Sequence, residues 1–443
     1  MSIDVEKLHN GFLKKHLAYV EHTEAPVLFH IWAALGCVSA CMGRHLYTET
    51  GIGRNYGNMY VLLVGPPATK KSSAIRFATT IMRGATSVRF APDDTGGQRQ
   101  GLIQAMLDED EENPDEADRL EVAMAADMAS LADIEMSLGR RENKHHMFAN
   151  ASEFGSFIGS NASDLARFLI KVYDGENYVY KLRAVQNTLV DPLLAILGGT
   201  TPADMATLLP AEAIGQGFTS RIILVYQPTK GKIVPPSAMR LDETLAIELS
   251  EVYRIVWTGM VGRMDFDDDA IAFLDRVYRS DHKIEDARFI YYLERRDSHL
   301  RKLSMVLAAS RLSMRISIED VYDAEYLLRT VERYMPEALG EYGLSPLAVA
   351  RQKMLEYLRH AGEPVSERLL WAIMSKDMKL IDFHNTISSL AVADKITPID
   401  AIINGKSTRM YIYNDMKDDM AKLDDKLLDE LLAGDIITTS TRH

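Results

Sequence analysis

Cysteine is nearly absent from this chain: Cys37 and Cys41 are the only two in 443 residues. Two thiols cannot build a disulfide scaffold, and no Cys-x-x-Cys pair offers zinc or redox chemistry, so a reducing cytoplasm fits. Long apolar runs are scarce too. The most apolar stretch, Val27 to Gly43, is only about one membrane thickness long and carries His30. It reads as a buried helix, with its two thiols serving as core packing. The opening residues, MSIDVEKLHNGFLKK, lack the apolar core of a signal peptide. These absences predict a soluble cytoplasmic chain with no membrane partner. Basic residues are in deficit as well, since the net charge is −13, which argues against a surface built broadly to coat nucleic acid.

That deficit is local. Asp108–Glu121 holds nine acids and one base, and Asp415–Asp435 holds eight acids and three lysines. Together they account for the whole −13 and leave 46 acids and 46 bases elsewhere. An acidic insert and an acidic tail restrict where a polyanion would bind without excluding one.

The composition, 47% hydrophobic and 26% charged, is that of a globular protein of about two to four domains. Residues 1–50 read as helical. The short continuous apolar runs MYVLLV (59–64), HMFA (146–149), PLLAIL (192–197) and IILVY (222–226) suit strands buried on both faces. Helix-like stretches separate them, which indicates a parallel α/β sheet over 51–240, interrupted by the acidic insert at 108–121. Helical periodicity then covers 241–340. In 345–413, three helical patterns precede two β-runs flanking Asn404-Gly405, the order of a winged helix. The acidic tail occupies 414–443.

Gly65-Pro66-Pro67-Ala68-Thr69-Lys70-Lys71-Ser72 lies between the MYVLLV run and a helical pattern that opens with Ser73. This is the context of the phosphate-binding template GxxxxGK[ST]. There, backbone N–H groups and a helix N-terminus hold phosphates, a lysine reaches the β/γ-phosphates, and a hydroxyl binds Mg²⁺. Gly65, Lys71 and Ser72 fit the template, whereas Lys70 stands at its second glycine. The competing reading is a proline-rich turn with two solvated lysines.

Hydrolysis needs further parts. Glu153 follows an apolar strand and would polarise water and help hold the metal, with Ser152 where an aspartate is usual. The alternative is an ordinary acid at a helix start. Thr200 and Thr201 end the next strand, either as a γ-phosphate sensor or as a helix cap before Pro202. Arg221, in GFTSR just before IILVY, would be an arginine finger or simply a surface arginine.

The ordered set of strand and P-loop, strand and Glu, strand and Thr, then GxxxR before a strand and a helical lid resembles the AAA+ ATPases. GFTSRI is similar to the arginine-finger motif of minichromosome-maintenance helicases, which also end in a winged helix. TEAPVLFHIWAALG, VGPPATKKSSAI and YDGENYVYKL…LLAILGGTTPADM resemble phage and prophage helicase-like proteins that share a domain of unknown function. The resemblance covers residues 10–335.

It implies an AAA+ type parallel-sheet core with a helical N-terminal region, a lid and a C-terminal winged helix. ATP and Mg²⁺ would be held by Lys71 and Ser72, with Glu153 as catalytic acid, Thr200 or Thr201 as sensor and Arg221 as a finger in trans. A second sensor arginine would come from Arg295, Arg296 or Arg301.

The alternation in YVYKLR puts Val179, Lys181 and Arg183 on one face and Tyr178, Tyr180 and Leu182 on the other. The resemblance implies a hairpin here, in which Lys181 and Arg183 grip phosphates while the tyrosines are available to stack on bases. In related hexameric helicases such a hairpin enters the central pore; the competing reading is an edge hairpin packed on its own subunit. Lys406 and Arg409, on the wing, are further DNA candidates. The resemblance implies an ATP-driven, ring-forming, hexameric replicative DNA helicase on single-stranded DNA, working in a bacterial host cytoplasm with replication or loading proteins. The rival is a nucleotide-switched helicase loader or assembly factor.

Overall fold

The computed structural model describes residues 3–51, 53–91, 99–107, 145–159, 162–182, 185–208, 217–280, 282–284, 286–340, 346–403 and 406–414. The acidic insert, the acidic tail beyond Asn414, Arg183 and the Asn404-Gly405 pair lie outside these residues. The chain divides into two compact units, one reaching Gly340 and the other beginning at Glu341.

The first unit is mixed α/β. Its centre is a four-stranded, all-parallel sheet of β3 (Tyr60–Val64), β4 (His146–Ala151), β7 (Leu193–Thr200) and β8 (Ile222–Tyr226), in the order β4-β7-β3-β8. Every residue of β3 and β7 is buried. Strands covered on both faces need no polar alternation, which is why they read as continuous apolar runs. Phe90 adds a single parallel bridge to Phe148 on the outer side of β4, with Ala91 N donating to Phe148 O at 2.8 Å.

Helices cover both faces. A Cβ at Gly36 of α2 (Val27–Met42) would touch Leu197, and one at Gly199 would touch Lys71 and Ile75 of α3 (Lys71–Ala85). Leu197 and Gly199 point the same way along β7, so α2 and α3 share one face. Gly198 points oppositely, toward Phe154 of α5 (Phe154–Ile158). On that face the Tyr60 hydroxyl donates to Leu169 O of α6 (Ala162–Tyr173) at 2.9 Å. Fifteen of the sixteen residues of α2 are buried, Cys37 and Cys41 among them. Among the described residues no helix is long and apolar enough to cross a membrane.

The expectation that 1–50 is wholly helical needs correction. After α1 (Gly11–Tyr19) and α2, the chain turns into β1 (Leu46–Thr50), which pairs antiparallel with β2 (Gly53–Tyr56). Leu46 and Thr48 are buried while Glu49 and Thr50 are exposed. This half-buried alternation is a strand signal that the preceding apolar helix obscures.

Beyond β8 the unit is mainly helical: α8 (Glu243–Thr258), α9 (Asp268–Arg279), α10 (Arg296–Ser310) and α11 (Ile318–Glu332) are its long elements. In α9 the buried residues are Ala270, Phe273, Leu274 and Val277, the spacing of one helical face. A separate two-stranded ribbon, β5 (Tyr178–Leu182) and β6 (Val185–Leu189), follows α6 with Tyr178 opposite Leu189.

The second unit places α12 (Pro346–Ala361), α13 (Glu367–Met374) and α14 (Leu380–Val392) with a three-stranded antiparallel sheet. Its strands are β9 (Val365–Ser366), β10 (Ile396–Ile403) and β11 (Lys406–Tyr413), in the order β9-β11-β10. Met354, Leu358, Leu370, Phe383 and Leu390 form its core with Ile396.

Candidate functional site

The loop after β3 is built around two tight approaches. A Cβ on Gly65 would lie 2.4 Å from Gln227 O, so only glycine fits there. Gly65 N donates to Thr200 O at 3.3 Å, tying the loop to the tip of β7. Ala68 and Lys70 both adopt positive φ, 68° and 66°. Pro66 and Pro67 stiffen the entry to the turn, and the Thr69 hydroxyl closes it by donating to Pro66 O at 2.9 Å.

Lys71 opens α3, and its ammonium curls back over the loop. It donates to Gly65 O at 2.7 Å, to Pro66 O at 3.0 Å and to Thr69 Oγ1 at 3.3 Å. Partial burial lowers its pKa, and the charge of Asp204 acts in the opposite sense. A lysine amine ringed by loop oxygens sits where the template requires a cation for phosphate. Ser72 and Ser73 follow on the first turn of α3 and line a cavity of about 570 Å³ with Asn150 and Ser152 from the end of β4. The cavity continues along α3 past Arg76 and Arg83; its volume is that of a small-molecule site.

Strand β4 delivers Glu153 to the same edge. Glu153 is exposed, and its carbonyl caps the start of α5 by accepting from Ser156 N at 3.0 Å. A Cβ on Gly199 would lie 2.7 Å from Ser152 O and 3.5 Å from Lys71 Cβ. The residue preceding Glu153 and the loop lysine therefore flank one glycine of β7.

At the tip of β7 the two threonines separate. Thr200 is 4% exposed and lies beside Gly65. The Thr201 hydroxyl donates to Asp204 Oδ2 at 2.8 Å and accepts from Asp204 N at 3.1 Å. Thr201 is thus the cap of α7 (Pro202–Leu208), with Pro202 at the first helical position. Of the two sensor candidates, only Thr200 lacks this duty. Thr201-x-x-Asp204 is a capping-box pattern, so this much was visible in the sequence.

Arg221 occupies the other end of the sheet. It precedes β8, whose first residue, Ile222, pairs with Tyr60 at the start of β3. The five residues of β3, Tyr60–Val64, place it ~17 Å from the Gly65–Ser72 loop of its own chain. The side chain is buried, donates to Gly217 O at 2.8 Å and is ion-paired with Asp174. Arg295 reaches the same Asp174 carboxylate at 3.4 Å. The reading of Arg221 as a surface arginine fails on this burial.

The other arginines considered as a second sensor are committed elsewhere. Arg296 bridges the buried Glu325 and Glu332 at 2.8 and 2.9 Å, and Arg301 pairs with Asp297 one turn away. None of the three is placed at the loop by a contact among the described residues.

The DNA candidates are less convergent. The Tyr178 ring packs edge-on against Phe168 at 5.0 Å, with Lys171 over its face. That packing engages part of the half-buried Tyr178 ring within its own chain. Tyr180 and Lys181 lie in β5 and Lys406 opens β11, but the placement of their side chains lies outside the described residues, as does Arg183. Arg409 is exposed and 3.8 Å from Asp400, its cross-strand neighbour.

Among the described residues no group of three His, Cys, Asp or Glu side chains could hold a metal. A Mg²⁺ ion bound largely by nucleotide phosphates and water needs no such cage. Two residues were given no role by the sequence reading. Glu24 pairs with Lys70, and Asp174 pairs with Arg221; both partners are remote in sequence and no local pattern marks them. No protein-family model matches this chain, and no curated protein matches it.

Proposed function

We propose that this chain is an ATP-driven, ring-forming motor of the AAA+ type that acts on single-stranded DNA, most simply as a replicative helicase. One observation carries the reading. The phosphate loop, Thr200 and Glu153 gather at one edge of the parallel sheet, whereas Arg221 sits at the opposite edge. An arginine that cannot reach its own phosphate loop can still serve the loop of another copy, which is the geometry a ring requires. The strand order β4-β7-β3-β8, with Phe90 beyond β4, suits an AAA+ core, and the second unit has the element order of a winged helix.

In this mechanism the amides of the loop and the start of α3 bind the phosphates while Lys71 exchanges loop carbonyls for phosphate oxygens. Ser72 would hold Mg²⁺, which neutralises phosphate charge. Glu153 orients water from the end of β4, and Thr200 senses the terminal phosphate. The β5-β6 ribbon, directly joined to α6 and to Asp174, would carry DNA contacts through Lys181 and Arg183, and Lys406 and Arg409 would add nonspecific ones.

A second reading has its own support. Arg221 is buried and already neutralised by Asp174, and Ser152 replaces the usual metal-shell aspartate. Both favour a nucleotide-switched loader or assembly factor with weak turnover.

ATPase activity with and without single-stranded DNA, together with particle size by light scattering in ATP, tests the proposal. A DNA-stimulated, Lys71-dependent activity in a multi-subunit particle is expected. A persistent monomer without stimulation overturns the motor and leaves the switch.

A further inference from the structure

We infer that Glu24 is a positioning residue of the phosphate loop, holding Lys70 in the left-handed backbone conformation the loop requires. The inference rests on the nucleotide-binding reading only for its consequence on ATP; the brace itself is a property of the loop.

The template has glycine where this chain has Lys70, and the backbone there takes φ 66°, ψ 26°. A side chain in that region crowds its own carbonyl, so a lysine there is strained relative to glycine. Its ammonium does not cap α3. It lies 2.8 Å from Glu24 Oε2, while Lys230 lies 2.7 Å from Glu24 Oε1. The Glu24 side chain is only 14% exposed, and Lys230 and then Lys70 hold its carboxyl down to about 2.

The surrounding backbone is fitted closely. Gly231 N donates to Glu24 O at 2.9 Å, and a Cβ on Gly231 would lie 3.0 Å from Ala25 O. The same post-β8 segment presses Gln227 O against Gly65. Three segments, 24–25, 65–70 and 227–234, therefore close around one carboxylate. Drawing Lys70 toward Glu24 leaves the inward-facing charge of the loop to Lys71, whose contacts are with Gly65 O and Pro66 O. The departure from glycine at position 70 thus has a compensating residue, and a glycine at 70 removes the loop's need for it, leaving Glu24 to Lys230.

The test is a double-mutant cycle on the full chain, read by amide hydrogen exchange of residues 66–71 with no nucleotide added. Glu24→Gln is expected to speed exchange about fivefold, the scale of a single ion pair. Lys70→Gly is expected not to speed it, and the double variant should match Lys70→Gly alone. If Glu24→Gln fails to fold, Lys70→Met removes the bridge from the other side and must give the same acceleration. Either no effect of removing the bridge, or an equal effect of Glu24→Gln in the Lys70→Gly background, overturns the inference. ATP affinity, measured by equilibrium dialysis, should fall about fivefold in Glu24→Gln and recover in the double variant. A wild-type chain that binds no ATP overturns the nucleotide reading, and the exchange cycle still decides the brace.

Discussion

Arg221 and Asp174 form an ion pair beneath the parallel sheet, joining the turn before β8 to the residue that follows α6 and leads into the β5-β6 ribbon. His299 braces the turn through a 2.8 Å contact between its Nε2 and Ser220 O, and Arg295 shares the Asp174 carboxylate. A finger acting on another copy must exchange this partner for phosphate. Two outcomes follow from the one contact. Asp174→Asn strands a buried guanidinium and is expected to cost about 2 kcal/mol in urea unfolding, below the full buried-pair range because Asp174 is itself partly exposed. Arg221→Ala is expected to keep ATP binding and lose hydrolysis about 10³-fold. Mixing Lys71→Ala subunits with Arg221→Ala subunits should restore part of the activity, since intact sites then form between unlike copies. No recovery on mixing removes the action in trans.

Gly199 sets the distance between the end of β4 and Lys71 at the start of α3. A Cβ there would meet Ser152 O at 2.7 Å, a backbone atom that cannot swing aside. Gly199→Ala is expected to destabilise the unit by about 1–3 kcal/mol by overpacking and to lower kcat more than it raises KM, because Glu153 moves with Ser152. Gly36→Ala is the matched comparison. Its Cβ would meet only Leu197 side-chain atoms at 3.4 Å and beyond, so a change within about 1 kcal/mol is expected. Equal effects of the two substitutions on kcat would contradict this account.

Buried histidines give the fold an acid limit. Burial lowers His16 and His299 to about 4 and His30 and His146 to about 3. Their folded pKa values lie below that of an exposed imidazole, so the unfolded chain takes up protons first as pH falls. Stability from these four groups is complete above about pH 6.5 and declines below it, by about 1.4 kcal/mol per pH unit for each. Urea midpoints between pH 7 and 5 should show this decline, and His146→Phe should make it shallower. A flat profile would mean these rings are protonated within the fold.

The parts of the molecule that announce themselves in sequence are those fixed by local pattern. MYVLLV, HMFA, PLLAIL and IILVY are each a buried strand because residues covered on both faces carry no polar alternation. The loop Gly65–Ser72 stands between strand and helix as its template requires, and the Ile396–Tyr413 region pairs as a hairpin. Patterns that depend on a distant partner were silent. Lys70 looks like a spare lysine until Glu24, 46 positions earlier, is seen against it. Arg221 carries no sign of its burial, because Asp174 arrives from the end of another helix. The split between Thr200 and Thr201 lay within reach, since Asp204 stands three residues after Thr201, yet which threonine caps was decided by where β7 ends.

In the proposed site Lys71 would bind phosphate and Glu153 would act on water, so their substitutions should separate binding from chemistry. The Lys71 ammonium is held by Gly65 O and Pro66 O beside the Thr69 hydroxyl, a position from which it can pass to phosphate without moving the backbone. Lys71→Ala removes that charge and is expected to weaken ATP binding at least tenfold. Glu153 is exposed at the end of β4 and makes no contact that shapes the phosphate loop among the described residues. Glu153→Gln keeps its shape and its helix start while removing the carboxylate. ATP should therefore bind with little change, and turnover should fall by 10²–10⁴-fold, the contribution of a positioned general base. Equilibrium binding of a fluorescent ATP analogue and single-turnover hydrolysis measure the two effects independently. Loss of binding in Glu153→Gln would place that carboxylate in the structure of the pocket and would leave the catalytic acid to be found elsewhere on the β4 edge.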